Sequence, residues 1–127
     1  MAREVRRPEG LLDRLATAYR GERPQEWPEE LRREESDVAD RMVRLAELMV
    51  AGTPPTDPAA MDAVDWYYRA ANQYGGVDTA VFTALGEALA AEDDKRALFD
   101  DVVPGLAGYQ REAMTAYART RLAAGGA

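Results

Sequence analysis

Proline and glycine divide the chain into short segments whose apolar residues recur at the spacing of an amphipathic helix. The composition agrees with this pattern: alanine fills 24 of the 127 positions, isoleucine none, and arginine outnumbers lysine 15 to 1. Alanine and arginine favour helices, whereas the β-branched residues that favour strands are scarce. The sequence therefore predicts an all-α fold.

A few prolines, aspartates and glycines predict where the helices begin and end. The prolines that suit the first turn of a helix are Pro8, Pro28, Pro58 and Pro104. Asp57 and Asp78 are placed to cap the third and fourth helices. Gly52 is expected to end the second helix, and Gly75 the third, near Tyr74. We therefore expect a bundle of about five to six helices.

A glycine inside the fourth helix indicates close packing. Gly86 lies in the apolar stretch LGEAL, where glycine costs about 1 kcal/mol relative to alanine. We expect another helix to approach closely at that point.

The residue types that are missing exclude several kinds of site. Without cysteine or histidine, the chain cannot form a disulfide framework, a zinc cluster, a haem site ligated by these residues, or a Cys or Ser–His nucleophile system. No cofactor or metal is expected. The net charge of −7 argues against nucleic acid, which needs a clustered basic surface. No apolar run approaches the ~20 residues that span a bilayer, and no signal peptide is visible, so we expect a cytoplasmic protein.

The first part of the chain differs from the rest in charge. Residues 1–24 hold six arginines and four acids, a balance of +2 against −9 for the remainder. We expect residues 1–27 to form an arm with a short helix and a linker, in which the helix docks partly by charge. Residues 28–124 are expected to form the folded domain.

Three carboxylates are candidates for acid–base chemistry. Asp62 and Asp65 stand at helical spacing and could share a face, and Glu87 lies within an apolar stretch. Such groups need burial to shift their pKa values, and the pattern fits solvated helix faces equally well. An enzyme is therefore left open without being favoured.

Aromatic residues are concentrated in the third helix. Trp66, Tyr67, Tyr68 and Tyr74 fall within nine residues. A tyrosine ring is a flat apolar body with one hydrogen-bonding tip, which suits a cleft for a flat, partly aromatic ligand. Core packing with one or two exposed rings explains the same pattern, and the spacing leaves both interpretations open.

Three segments in order carry a family resemblance: VAGTPPTDPAAM at 50–61, ALGE at 84–87 and PGLAGYQREAM at 104–114. With these, the run 31–122 resembles the TipAS antibiotic-recognition domain, best known as the effector half of MerR-type regulators from actinomycetes and their relatives. Here it would be a stand-alone form. The resemblance implies a compact globin-like fold with a deep cleft. It also implies sequestration or sensing of bulky, ring-rich peptide natural products, such as thiopeptides or albicidin-type oligoaromatic amides.

The resemblance, taken with the aromatic cluster, suggests which side chains line that cleft. They are Trp66, Tyr67, Tyr74, Phe82, Tyr109 and Tyr117, with Met42 and Met49 as an adaptable floor. Trp27, in the segment before the core, would serve in a lid. In the thiopeptide-binding prototype of this family, a cysteine near the start of the helix after the ligand-facing helix attacks the drug. This sequence has no cysteine, so covalent capture of a ligand is not expected.

Two alternatives stay open. One is an enzyme or accessory protein of natural-product biosynthesis that uses Asp62, Asp65 or Glu87 together with tyrosines. The other is a helical module for self-association. The sequence does not indicate the oligomeric state.

Overall fold

A computed structural model of the protein describes residues 4–18, 21–22 and 24–123. Of the expected arm, residues 1–3, 19–20 and 23 lie outside the described residues, as does residue 124 at the expected end of the domain. The described residues contain no strand. Their helices are α1 (Leu11–Ala18), α2 (Glu29–Val50), α3 (Pro58–Ala71), α4 (Thr79–Ala91), α5 (Asp93–Asp100) and α6 (Leu106–Tyr117), continued by a π-helical turn (Ala118–Leu122). The prediction of an all-α bundle of five to six helices is confirmed for this part of the chain.

Two aspartates cap helices as the sequence predicts. The Asp57 side chain accepts a hydrogen bond from the backbone N–H of Ala59 at the start of α3. The Asp78 side chain accepts one from the backbone N–H of Val81 at the start of α4. Each bond satisfies a backbone donor that has no partner within its own helix.

The end of α2 is fixed by a glycine in the left-handed conformation. Gly52 has φ +84°, and its N–H donates to the carbonyl of Met49. The N–H of Thr53 donates to the carbonyl of Leu48. This pair of bonds is a Schellman motif, which requires a positive φ and therefore favours glycine. The predicted end of α2 is confirmed.

α3 ends earlier than predicted. Its last residue is Ala71, three positions before Tyr74. The cause is Asn72, whose backbone leaves the helical region (φ −92°, ψ 10°). Its side-chain oxygen accepts a hydrogen bond from the backbone N–H of Val77 and so stabilises a turn.

α6 begins two residues after the predicted Pro104. Gly105 adopts φ +95°, so the helix starts only at Leu106. The cap comes from another element: the side chain of Asp100, at the end of α5, accepts a hydrogen bond from the backbone N–H of Ala107. The start of the last helix is therefore tied to the helix before it.

α6 is the centre of the bundle. It packs against α2, α3, α4 and α5. Its buried residues are Leu106, Ala107, Tyr109, Gln110, Ala113, Met114 and Tyr117. The hydrophobic core therefore forms around this one helix.

The segment before α2 makes ion pairs with the bundle and buries one leucine in its core. Arg7 forms an ion pair with Asp40 on α2, and Arg14 pairs with Asp101 at 2.6 Å. Leu11, the first residue of α1, is 2% exposed and belongs to the core. The prediction that this helix docks partly by charge is confirmed, although it begins at Leu11 and not at Pro8.

Backbone contacts hold the same segment. The backbone N–H of Arg6 donates to the carbonyl of Val102 at 2.7 Å. The N–H of Leu12 donates to the carboxylate of Glu35 on α2 at 2.8 Å. Glu35 thus satisfies a free donor in the first turn of α1.

Gly86 on α4 marks the close approach of α4 and α6. It is buried, and a Cβ added there would lie 3.4 Å from Cβ and Sδ of Met114. That separation is an ordinary van der Waals contact, so the site has room for one methyl group.

We expect Gly86→Ala to raise the free energy of unfolding by about 0.5–1 kcal/mol, because alanine has the higher helix propensity and its methyl group fits. Urea denaturation measures this change. Gly52→Ala is the contrasting variant and should lose about 1–2 kcal/mol, because Gly52 has a positive φ. A loss of stability in Gly86→Ala would show that α4 and α6 leave no room for the methyl group.

Candidate functional site

Two closely spaced, tilted rings on α3 form the first part of the candidate site. The ring centroids of Trp66 and Tyr67 lie 3.8 Å apart, with an interplanar angle of 34°. The guanidinium of Arg41, on α2, lies 5.3 Å from the indole centroid, within cation–π range. The ring centroid of Phe99, on α5, lies 6.5 Å from that of Tyr67. We call Trp66 and Tyr67 the ring pair.

A groove between α2 and α3 forms the second part. Its volume is about 360 Å³, and its lining residues are Asp40, Arg41, Arg44, Ala59, Asp62 and Ala63. Arg41 lines this α2–α3 groove and also contacts Trp66, so it links the two parts of the candidate site. The volume lies at the lower end of the range for small-molecule sites, roughly 300–1,000 Å³.

Ion pairs hold the acidic side chains of the groove. Arg7 binds Asp40, and Arg121 binds Asp62 at 2.6 Å. Arg121 comes from the π-helical turn and also lies over the Tyr117 ring, at 5.3 Å from its centroid. Residues near the two ends of the described chain therefore bind opposite walls of the groove, Arg7 the α2 wall and Arg121 the α3 wall.

Phe82 and Tyr117, two of the predicted lining residues, lie in the core. Phe82 is fully buried and meets Tyr68 edge-on, with centroids 5.7 Å apart and planes at 89°. Tyr117 is 4% exposed, lies 5.4 Å from Phe82, and donates its hydroxyl to Asp65. These contacts join α3, α4 and α6.

The other predicted lining residues are dispersed. Tyr109 is buried and donates its hydroxyl to the carbonyl of Thr53 at 2.8 Å. Tyr74 lies in the turn after α3 and is 92% exposed. Met42 is buried in the core, and Met49 packs against it. Of the predicted set, the structure brings together Trp66 with Tyr67 and Phe82 with Tyr117.

Trp27 ties the linker before α2 to α1. Its indole N–H donates to the carboxylate of Asp13 at 2.7 Å, and its side chain is half-buried. Its role in a lid stays a prediction.

The three predicted carboxylates have different surroundings. Asp62 is exposed and paired with Arg121. Asp65 is half-buried, paired with Arg69 at 2.6 Å, and accepts the Tyr117 hydroxyl. Glu87 is exposed on α4. Among the described residues, no group of three or more acidic side chains is arranged to hold a metal ion.

Burial raises the pKa values of three tyrosines. Desolvation raises the pKa of Tyr67, and the side-chain amide of Gln110 acts in the opposite direction. Desolvation and the hydrogen bond to Asp65 raise the pKa of Tyr117 to about 12. Desolvation and the charge of Asp57 raise the pKa of Tyr109. All three phenols are therefore neutral at physiological pH.

Sequence reasoning missed two residues of the candidate site. Gln110 is 1% exposed, although it is a polar residue on the central helix. Its position gave a signal, because it falls on the inward stripe with Leu106, Ala113 and Tyr117. Arg41 has no comparable signal, since its charge places it on the polar side of α2 in any helical projection.

The comparisons with known proteins give one result. The family model described as the TipAS antibiotic-recognition domain matches residues 15–117. The matched span runs from within α1 to the end of α6 and includes the ring pair and the α2–α3 groove. No curated protein and no solved structure matches the chain. None of the helices in the described ranges is long and apolar enough to cross a membrane.

We expect stability to fall between pH 10 and about pH 12. The folded state raises the pKa of Tyr117 from 10 to about 12. The contribution of the neutral Tyr117 to the free energy of unfolding is therefore complete below pH 10 and is lost as the pH approaches 12. Tyr117→Phe should make this loss less steep. Denaturant unfolding at several pH values, followed by circular dichroism, measures it. Tyr74→Phe is the exposed control, and an equal slope in the parent and Tyr117→Phe would contradict the assignment.

Proposed function

Because the chain belongs to the TipAS antibiotic-recognition domain family, we propose that it binds a bulky, ring-rich peptide natural product without forming a covalent bond. The match over residues 15–117 is the observation that carries this proposal. Thiopeptides and oligoaromatic amides are the ligand classes to test first.

The geometry supports the ring pair and the α2–α3 groove as the binding site. Trp66 and Tyr67 offer two adjacent aromatic rings, and an aromatic contact with a ligand ring contributes about 0.5–1.5 kcal/mol per pair beyond burial. A flat ring of the ligand would take the place of the Arg41 guanidinium on the indole. The groove beside it holds about 360 Å³, so a bulky ligand would extend from the groove onto the surface.

The charges of the groove support recognition of a neutral, polar ligand. Arg41 and Arg44 stand beside Asp40 and Asp62, so neither sign dominates. Amide groups can accept hydrogen bonds from arginine and donate to aspartate, and azole nitrogens can accept hydrogen bonds from arginine. The sequence has no cysteine, so the proposed binding does not use a thiol of this chain.

The proposed consequence of binding is sequestration or sensing of the antibiotic. A protein that holds the compound lowers its free concentration and so protects the cell that contains it. A cytoplasmic location, without a nucleic-acid or membrane partner, belongs to this proposal.

Thermal unfolding against a panel of thiopeptides, oligoaromatic amides and azole-rich antibiotics tests the function. A ligand at 100 times its dissociation constant adds about 2.7 kcal/mol, which shifts the midpoint by several degrees in a domain of this size. No shift with any class would contradict the proposal. Conversion of a compound, seen by mass spectrometry, would indicate an enzyme instead.

The site is tested with a compound from the panel that binds. Trp66→Ala should weaken binding by about tenfold or more, because it removes the ring on which the ligand stacks. Val81→Ala, at an exposed position on α4, is the matched control and should bind like the parent. Calorimetry measures both affinities after circular dichroism has shown that the variants are folded. Equal binding by Trp66→Ala would contradict the site assignment.

A further inference from the structure

Two buried polar atoms on residues that neighbour Tyr67 have no hydrogen-bond partner among the residues that the structure describes. They are Nε1 of Trp66, a donor, and Oε1 of Gln110, an acceptor. Folded proteins pair the large majority of their buried polar atoms, so each exception requires a physical explanation. Here the two exceptions occur at the ring pair.

Gln110 is a buried polar residue on the central helix. It is 1% exposed and belongs to α6, which packs against four other helices. Its side-chain amide lowers the pKa of the Tyr67 hydroxyl, against the larger effect of burial, which indicates that the two groups are neighbours. Oε1 of the amide has no hydrogen-bond partner among the described residues.

The indole of Trp66 is in a similar position. Its ring contacts the Tyr67 ring in a tilted arrangement and lies under the Arg41 guanidinium. Neither contact uses the N–H group at the ring edge. A donor on α3 and an acceptor on α6 are therefore both unpaired, and both belong to residues that neighbour Tyr67.

We propose that Trp66 Nε1 and Gln110 Oε1 are the polar anchor for a secondary amide of the bound molecule. The indole N–H donates to the amide carbonyl, and the amide N–H donates to Gln110. A secondary amide carries one acceptor and one donor, which are the two groups that these atoms lack. This inference rests on the proposed function and defines the chemical group that the site reads.

Arg41 provides the way in. Its guanidinium covers the indole and also lines the α2–α3 groove, and its side chain is exposed. Rotation of this long side chain uncovers the indole from the groove without a change in the backbone of α2. A ring of the ligand then stacks on Trp66 while its amide reaches the anchor.

The anchor has a consequence that a purely structural role does not have. In the free protein Gln110 Oε1 is buried without a partner, so its replacement by an apolar side chain of similar shape removes no hydrogen bond of Oε1. The same change should weaken binding of an amide, because the acceptor for the amide N–H is lost.

Nuclear magnetic resonance on the full chain tests the donor. The probes are N-methylbenzamide, which carries an amide donor and acceptor, and methyl benzoate, which has the acceptor alone. The chain has two tryptophans, and the Trp27 indole already donates to Asp13, so its signal is an internal control. Trp27→Phe assigns the two indole signals.

We expect N-methylbenzamide to shift the indole N–H signal of Trp66 and to leave that of Trp27 in place. Methyl benzoate should bind more weakly, because it cannot donate to Gln110. An unmoved Trp66 signal at saturating N-methylbenzamide would overturn the proposal, as would equal affinity for the two probes.

Gln110→Met tests the acceptor. It should bind N-methylbenzamide about fivefold more weakly, the effect of one neutral hydrogen bond, and bind methyl benzoate unchanged. Gln73→Met, at an exposed glutamine in the turn after α3, is the matched control and should change neither affinity.

The outcomes separate this inference from the proposed function. If a panel antibiotic binds Gln110→Met as tightly as the parent, the anchor is overturned while antibiotic binding stands. If N-methylbenzamide shifts the Trp66 signal but no antibiotic binds, the anchor is supported and the antibiotic proposal is contradicted. A lower midpoint with unchanged affinities would assign Gln110 to packing alone and overturn the anchor.

Discussion

The rest of the structure depends on the burial of α6 (Leu106–Tyr117). Because α2, α3, α4 and α5 all pack on this helix, the side chain at nearly every inward or lateral position must be apolar, small or hydrogen-bonded. Gly86 is buried where α4 crosses Met114, and Asp100 caps the first turn of α6 from α5. The central helix is thus fixed by contacts that its neighbours supply.

Electrostatics completes the bundle around this core. The arginines of the first segment and of the π-helical turn pair with aspartates on α2 and α3 and after α5. Exposed pairs of this kind contribute little each, and they are screened by salt. Their effect is to set the orientation of a segment whose main stabilisation is burial of Leu11.

The candidate site lies where this packing leaves polar groups without partners. Tyr109 and Tyr117 bury their rings and find acceptors for their hydroxyls, whereas Trp66 and Gln110 each keep a buried polar atom unpaired. Such unpaired groups lower the stability of the free protein. They persist at sites where a ligand can supply the missing bond, which agrees with a domain of a recognition family.

The sequence by itself determined which segments are helical, and it determined the helix ends that local bonds fix. Asp57, Asp78 and Gly52 cap or stop a helix through bonds to residues within five positions, so their types and spacing suffice. The three matched segments likewise indicated the TipAS family. Only the tertiary structure decided which aromatic rings pair. α3 is apolar on several sides, and the fold alone directs Trp66 and Tyr67 towards Arg41 and Phe99, and Tyr68 towards Phe82. The sequence likewise could not show that Oε1 of Gln110 is unpaired. Whether this atom finds a donor depends on the neighbours that distant parts of the chain bring next to it.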